Sequence, residues 1–227
     1  MAPGAGVRPG HVTMPRLYAI LDVDVLGGLG RTPAWTPLHV CDAWLSAGVR
    51  LIQLRAKSFS SGAFLELADA CVSRCRQAGA VCIINDRADI AAMSGADGVH
   101  VGQDDLSPTD VRVVAGPNAI VGWSTHDDDQ VADATVQPVS YVAIGPVFGT
   151  HTKATGYGAV GLAQVTRAAV VVHAAGTPLV AIGGITLERA PQVLAAGADS
   201  VAVITDLLVA SDLAGVQLRA RTWVSAL

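Results

Sequence analysis

At 227 residues and 51% apolar composition, the chain is sized for one domain with a sizeable core. A net charge of −4 without any basic run gives no support for a nucleic-acid partner or an anionic membrane surface, and no apolar run approaches the ~20 residues of a membrane span. Aromatics are only 4% while Ala, Val and Gly are abundant, a bias that suits tight helix-on-strand packing.

Residues 1–14 are Pro- and Gly-rich and lack the apolar stretch of a signal peptide, so they read as a disordered tail before a domain over 15–227. Short runs rich in Val, Ile and Leu then recur: Leu17–Leu21, Leu51–Leu54, Val81–Ile84, Val99–Val101, Ile120–Val121, Tyr141–Val147, Leu179–Ile182 and Val201–Ile204. Runs of this kind suit strands buried on both faces. Amphipathic segments lie between them, including Ser60–Ala78, Ser107–Ala115, Leu162–Ala174 and Leu187–Ala195. Ser107 ahead of Pro108 and Thr186 ahead of Leu187 are N-cap candidates. Gly48, Gly95 and Gly197 end helices just before strands, and Asp97 and Asp199 follow two of them.

Eight strands alternating with helices predict a closed (β/α)8 TIM barrel in a single domain. A doubly wound sheet is the alternative and would show a Gly-rich dinucleotide fingerprint after the first strand. Gly27, Gly28 and Gly30 are separated from that strand by Asp22-Val23-Asp24 and followed by Pro33 and Pro37, so the segment reads as a loop. The four cysteines, Cys41, Cys71, Cys75 and Cys82, lie in apolar or helical stretches and read as small buried thiols.

The chain has two lysines and thirteen arginines. Both lysines, Lys57 and Lys153, stand where a strand hands over to a loop, the place where barrels keep their chemistry. On the second strand Gln53, Arg55 and Lys57 share parity and should project inward at successive levels, a set suited to phosphate or pyrophosphate. The bland alternative pairs Arg55 with a core carboxylate and sends Lys57 to solvent. Asp86 and Asp105 end neighbouring strands and could place two oxygens on one magnesium ion, or could cap the helices that follow. Ser124 and His126 follow the fifth strand without an acid to orient the His; Ser124 suits a hydrogen-bond donor, and His126 a group that positions the loop. His100, inside the fourth strand, reads as a satisfied core histidine. The segment Gly149–Lys153 is a loop able to wrap an anion, and the Gly183-Gly184 and Ile204-Thr205 turns suit a phosphate site after strands seven and eight.

From Leu17 to about Leu208 the chain resembles the thiamine-phosphate synthase family, through Gln53-Arg55-Lys57, Asn85-Asp86, Gly98–Asp105, Gly122–His126, Gly145–Lys153 and Ile182–Thr186 taken in order. The resemblance implies a transferase that joins an aminopyrimidine-methyl diphosphate to a thiazole (or carboxythiazole) phosphate, releasing pyrophosphate. It further implies that Gln53, Arg55, Lys57, Asn85, Ser124 and Lys153 hold the pyrimidine diphosphate. Asp86 and Asp105 would ligate one Mg2+. Thr150, His151, Thr152, Gly184, Ile204 and Thr205 would hold the thiazole phosphate. Arg55, Lys57, Ser124 and Lys153 would carry the catalytic role. The family often has Pro where Gly149 stands, and the Asp22–Pro37 connection is longer and more glycine-rich than usual. Small-molecule substrates, a cytoplasmic location, and neither nucleic acid nor membrane as partner are expected; a homo-oligomer is left open. The rival readings are a related thiazole tautomerase, a silent phosphate-binding barrel and a sugar-phosphate isomerase.

Overall fold

The computed structural model describes residues 14–30, 35–149 and 157–227. Residues 1–13 of the expected tail, and Thr150 to Lys153 of the anion loop, therefore lie outside the described residues. Met14, assigned to the tail from sequence, packs partly buried against the barrel interior.

Eight parallel strands close into a barrel in sequence order: β1 Leu17–Asp22, β2 Leu51–Arg55, β3 Val81–Asn85, β4 Gly98–Val101, β5 Ile120–Thr125, β6 Tyr141–Ile144, β7 Leu179–Ile182 and β8 Ser200–Val203. β1 pairs with both β2 and β8, so no sheet edge remains and the doubly wound alternative is excluded. The connecting helices are α1 Val23–Gly28, α2 Pro37–Ser46, α3 Ser61–Gln77, α4 Ala88–Ser94, α5 Pro108–Ala115, α6 Asp128–Val136, α7 Gly161–Ala174, α8 Ala190–Ala195 and α9 Leu213–Ala226, with a 3-10 turn at Thr205–Leu208. Among the described residues no helix is long and apolar enough to cross a membrane.

The period-two alternation of a strand divides each run between two cores. Leu17, Ala19, Leu21, Ile52, Leu54, Ile84, Val99 and Val201 face outward into the helix–strand layer. Tyr18, Ile20, Leu51, Ile83, Tyr141, Ala143, Val180 and Ala202 fill the barrel interior. Leu51 faces inward on β2, so Gln53 and Arg55, two and four residues on, share that side, as parity requires.

The strand entries repeat one device. Gly48, Gly95 and Gly197 take φ of 100°, 65° and 110°, the left-handed region that glycine enters without steric cost. Asp97 Oδ2 then accepts the Cys82 N–H at 2.8 Å, and Asp199 Oδ2 accepts the Leu179 N–H at 2.7 Å. Each carboxylate thus ties the entry of its own strand to the start of a neighbouring segment of the barrel. Ser107 caps α5 as expected, accepting the Asp110 N–H at 3.1 Å.

Three local expectations need correction. The segment after β1 is helical over Val23–Gly28, because Asp22 accepts the N–H groups of Asp24 and Val25 and so caps a turn that the glycines disguise. β6 stops at Ile144 rather than Val147, where Gly145-Pro146 interrupts the ladder, since proline has no N–H to give. α8 starts at Ala190, not Leu187, with Pro191 in its first turn, where a missing N–H costs nothing. Thr186 instead closes a turn through its carbonyl, which accepts from Arg189 and Ala190.

The four thiols meet where α2 and α3 pack on β3. All are free and fully buried, and the sulfurs of Cys41, Cys71 and Cys75 lie within 4.8 Å of one another. Their mutual contacts and burial push the Cys41 thiol well above its usual range, and small protonated thiols of this kind pack as hydrophobes. We expect a disulfide-exchange reagent to find no reactive thiol in the folded protein and four after urea unfolding. Rapid labelling of the native protein would contradict this packing.

Candidate active site

A cavity of about 460 Å³ opens at the C-terminal ends of the strands, a size that suits a small-molecule site. Of the residues singled out from sequence, Gln53, Arg55, Asn85, Ser124, Gly184, Ile204 and Thr205 line it. Lys57, Asp86 and Asp105 do not.

Arg55 points inward and pairs with Asp22 at 2.5 Å, its partner in the β1–β2 register. The pairing with a core carboxylate is therefore real. Arg55 still faces the cavity, and one contact leaves donors of its guanidinium for an anion. β2 ends at Arg55, so Lys57 lies beyond the regular strand, half-exposed, with its ammonium on the Asp86 carboxylate. The expected inward ladder of three side chains thus has two rungs. The backbone of Lys57 is pinned separately, its N–H donating to Asp24 Oδ2 at 2.8 Å. Burial pushes the Asp24 carboxyl up, but the Ser58 hydroxyl and the Lys57 and Ser58 backbone hold it below the usual range. Asp24 is a loop anchor that no sequence signal singled out.

Asp86 has φ of 61°, a strained value for a residue with a side chain. The capping alternative fails for both carboxylates. α4 begins after Arg87 without a side-chain cap, and α5 is capped by Ser107. Asp105 Oδ2 instead accepts the Gly102 N–H at 2.8 Å, which closes the β4 loop. Trp123 Nε1 donates to the Gly102 carbonyl at 3.1 Å, and Gln103 Nε2 to that of Ser124 at 2.6 Å, so the β4 and β5 loops are fastened together. Asp89 pairs with Arg87 at 2.6 Å.

On the far side, Gly183 and Gly184 take φ of 104° and 62°. A Cβ on Gly183 would lie 2.5 Å from Pro146 Cα, and one on Gly184 2.8 Å from the Gly149 carbonyl oxygen. The pair is therefore required by the close approach of the β6 loop as well as by the left-handed backbone. Arg189 donates to the Gly184 carbonyl at 3.0 Å, lies 4.7 Å over the Phe148 ring and lines the cavity. It supplies a cation that its sequence position, within an amphipathic segment, did not disclose. Asp206 lines the same wall and holds Arg219 at 2.7 Å and Trp223 Nε1 at 2.7 Å, which fastens α9 to the β8 loop.

His126 Nδ1 lies 2.5 Å from the Gly145 carbonyl, which can only accept, so that nitrogen carries a proton. Its ring is stacked on Tyr157 at 3.8 Å. This is the loop-positioning role expected of it. His100 is indeed satisfied, but it lies in the cavity wall: Nδ1 is 2.9 Å from the Tyr141 hydroxyl and Nε2 2.8 Å from Ser124 Oγ.

A closed parallel barrel whose strand ends present cations, amides and hydroxyls to one cavity defines the class: an enzyme of the (β/α)8 type acting on a small molecule. Residues 30–207 match the family model described as thiamine monophosphate synthase. Thiamine-phosphate synthases from Koribacter versatilis and Laribacter hongkongensis are 45% and 40% identical over 196 and 200 residues. These alignments cover 86% and 88% of this chain and 90% of each relative. A thiamine phosphate pyrophosphorylase from Pyrococcus furiosus superposes with a TM-score of 0.77 at 27% identity, over 93% of this chain and 96% of that one. The chain belongs to the thiamine monophosphate synthase family.

Proposed function

We propose that the protein joins an aminopyrimidine-methyl diphosphate to a thiazole phosphate, or to its carboxylate with loss of CO2, forming thiamine phosphate and pyrophosphate. The observation that carries this reading is the convergence of Gln53, Arg55, Asn85 and Ser124 on one cavity in a chain of this family. The pyrimidine amino group donates electrons as the C–O bond to pyrophosphate breaks, leaving a stabilised methylene cation. The thiazole nitrogen attacks it with a lone pair already available, so no general base is required. Arg55, Lys57 and Lys153 neutralise charge growing on the leaving group, each such contact worth roughly 10²–10³ in rate. Ser124, Gln53 and Asn85 orient the pyrimidine. Thr150, His151 and Thr152, with Gly184, Ile204 and Thr205, take the thiazole phosphate.

The donor chemistry at Asp86 and Asp105 fits one Mg2+. Both are hard carboxylates just beyond neighbouring strands, and Asp86 already holds a cation, the Lys57 ammonium. Such an ion, when bound, shields the pyrophosphate charge. The four free thiols suit a reducing compartment, and we place the reaction in the cytoplasm.

A coupled pyrophosphate assay tests the reading. Release is expected only with both substrates and magnesium present, and EDTA or Asp86→Ala with Asp105→Ala should abolish it. Turnover indifferent to EDTA would remove the metal from the scheme; no release with both substrates present would remove the function itself.

A further inference from the structure

A continuous chain of hydrogen bonds crosses the barrel floor and joins five strands. Gln53 Nε2 donates to the Tyr18 hydroxyl at 2.8 Å, and the Tyr18 and Tyr141 hydroxyls are 2.9 Å apart. Tyr141 then meets His100 Nδ1 at 2.9 Å, and His100 Nε2 meets Ser124 Oγ at 2.8 Å. Tyr18, Tyr141 and Gln53 are buried, at 1%, 0% and 2% exposure, so bulk water cannot interrupt the series from Gln53 to Tyr141. Gly122 makes the crossing feasible: a Cβ there would lie 2.0 Å from the Tyr141 ring.

Proton counting orders the chain. Each hydroxyl has one proton, and a neutral imidazole has one N–H. Burial raises both phenols, strongly for Tyr141, which keeps them protonated. With Gln53 donating, Tyr18 must donate to Tyr141, and Tyr141 to His100 Nδ1. The His100 proton then sits on Nε2 and is given to Ser124, whose own proton is left for the cavity. Gln53 correspondingly keeps its carbonyl oxygen as an acceptor. Because an unpaired buried O–H is costly, reversing one bond reverses them all, including the Gln53 amide. The series therefore has two ordered states, and its ends are complementary in both.

We propose that this chain makes Gln53 and Ser124 a coupled reader of the pyrimidine, the order of its protons turning the Gln53 carbonyl to accept and the Ser124 hydroxyl to donate. Tyr18, Tyr141 and His100 act as positioning residues. This rests on the reading of the cavity as the pyrimidine site. The order with Gln53 donating to Tyr18 matches an aminopyrimidine, whose amino group donates and whose ring nitrogen accepts. A 4-oxo pyrimidine presents the opposite pattern, so in this order the Gln53 carbonyl loses its donor and the Ser124 proton loses its ring-nitrogen acceptor. A site that leaves buried polar groups unpaired against the wrong ligand discriminates strongly.

Two measurements test it. Nitrogen-15 NMR of the unliganded protein, with His100 assigned through His100→Asn, should find a neutral ring protonated on Nε2. Tyr141→Phe keeps the ring and removes the oxygen, which cuts the series between its ends. In that variant the ratio of kcat/KM for the amino over the 4-oxo pyrimidine diphosphate should fall at least about tenfold. Should Tyr141→Phe not fold, Tyr18→Phe cuts the same series one bond earlier and carries the same expectation. A His100 proton on Nδ1, a charged ring, or an unchanged ratio in the cut variant would overturn the proposal. Absence of turnover by the unmodified protein would instead remove the substrate reading, while the His100 tautomer would still decide whether the ordered chain exists.

Discussion

Arg55→Met is expected to lower turnover by about 10²–10³ and to destabilise the fold by roughly 3–5 kcal/mol at the same time. The two losses have different causes. On the proposed reaction, turnover falls because the cavity loses a cation that would offset charge on the leaving group. Stability falls because Asp22, 1% exposed, keeps a carboxylate with no counter-charge after the 2.5 Å pair is broken. Removing one member of a buried pair is costly because the other stays charged in a poorly solvated place. The double variant Asp22→Asn with Arg55→Met separates them. Asparagine retains an oxygen for the Asp24 and Val25 N–H groups that Asp22 caps, so α1 keeps its start. Denaturant unfolding of the double variant should recover most of the lost stability, while the pyrophosphate assay should show no recovery. Equal instability of the single and double variants would refute the buried-charge explanation.

Gly98→Ala should destabilise the protein by about 3 kcal/mol or more, near the upper end of overpacking costs. A Cβ at Gly98 would stand 2.0 Å from the Ile120 carbonyl oxygen and 2.7 Å from its carbon. These are backbone atoms of the paired strand in register with Gly98, and they cannot rotate away. β4 and β5 would have to separate where both lead toward the wall formed by His100 and Ser124. Thermal melts should report a fall of roughly 6–12 °C for a domain of this size. Gly62→Ala is the matched control: its Cβ meets nothing within 4 Å, and its backbone is helical within α3. That change should be neutral or slightly stabilising through the unfolded chain. Equal melting shifts for the two substitutions would show that strand proximity is not the cause.

The hydrophobic periodicity made the barrel legible because a buried parallel strand and an amphipathic helix write different short-range patterns. Parity also placed Gln53 and Arg55 correctly, since alternation along a strand needs only local geometry. Lys57 departed from it because the strand ends two residues earlier, and a loop does not preserve alternation. The α1 helix stayed hidden because its glycines are poor helix formers, and its start depends on one cap from Asp22.

The remaining site was illegible for a topological reason. Tyr18 and Tyr141 are separated by 123 positions, and no local pattern tells a core tyrosine from one whose hydroxyl meets another across the floor. Nothing in the local sequence marks Gly98 and Gly122 as points of close approach, since the atoms a Cβ would meet belong to neighbouring strands. Arg189 read as part of an amphipathic segment until the β7 turn and Phe148 were brought beneath it. The amino-acid order by itself determined the strand series, the inward face of β2 and the family motifs, all of which depend on neighbours a few residues apart. Closure of the barrel decided which polar groups meet, which carboxylate is buried, and which protons are ordered. Those properties arise from contacts between strands distant in sequence, and they exist only once the eighth strand pairs with the first.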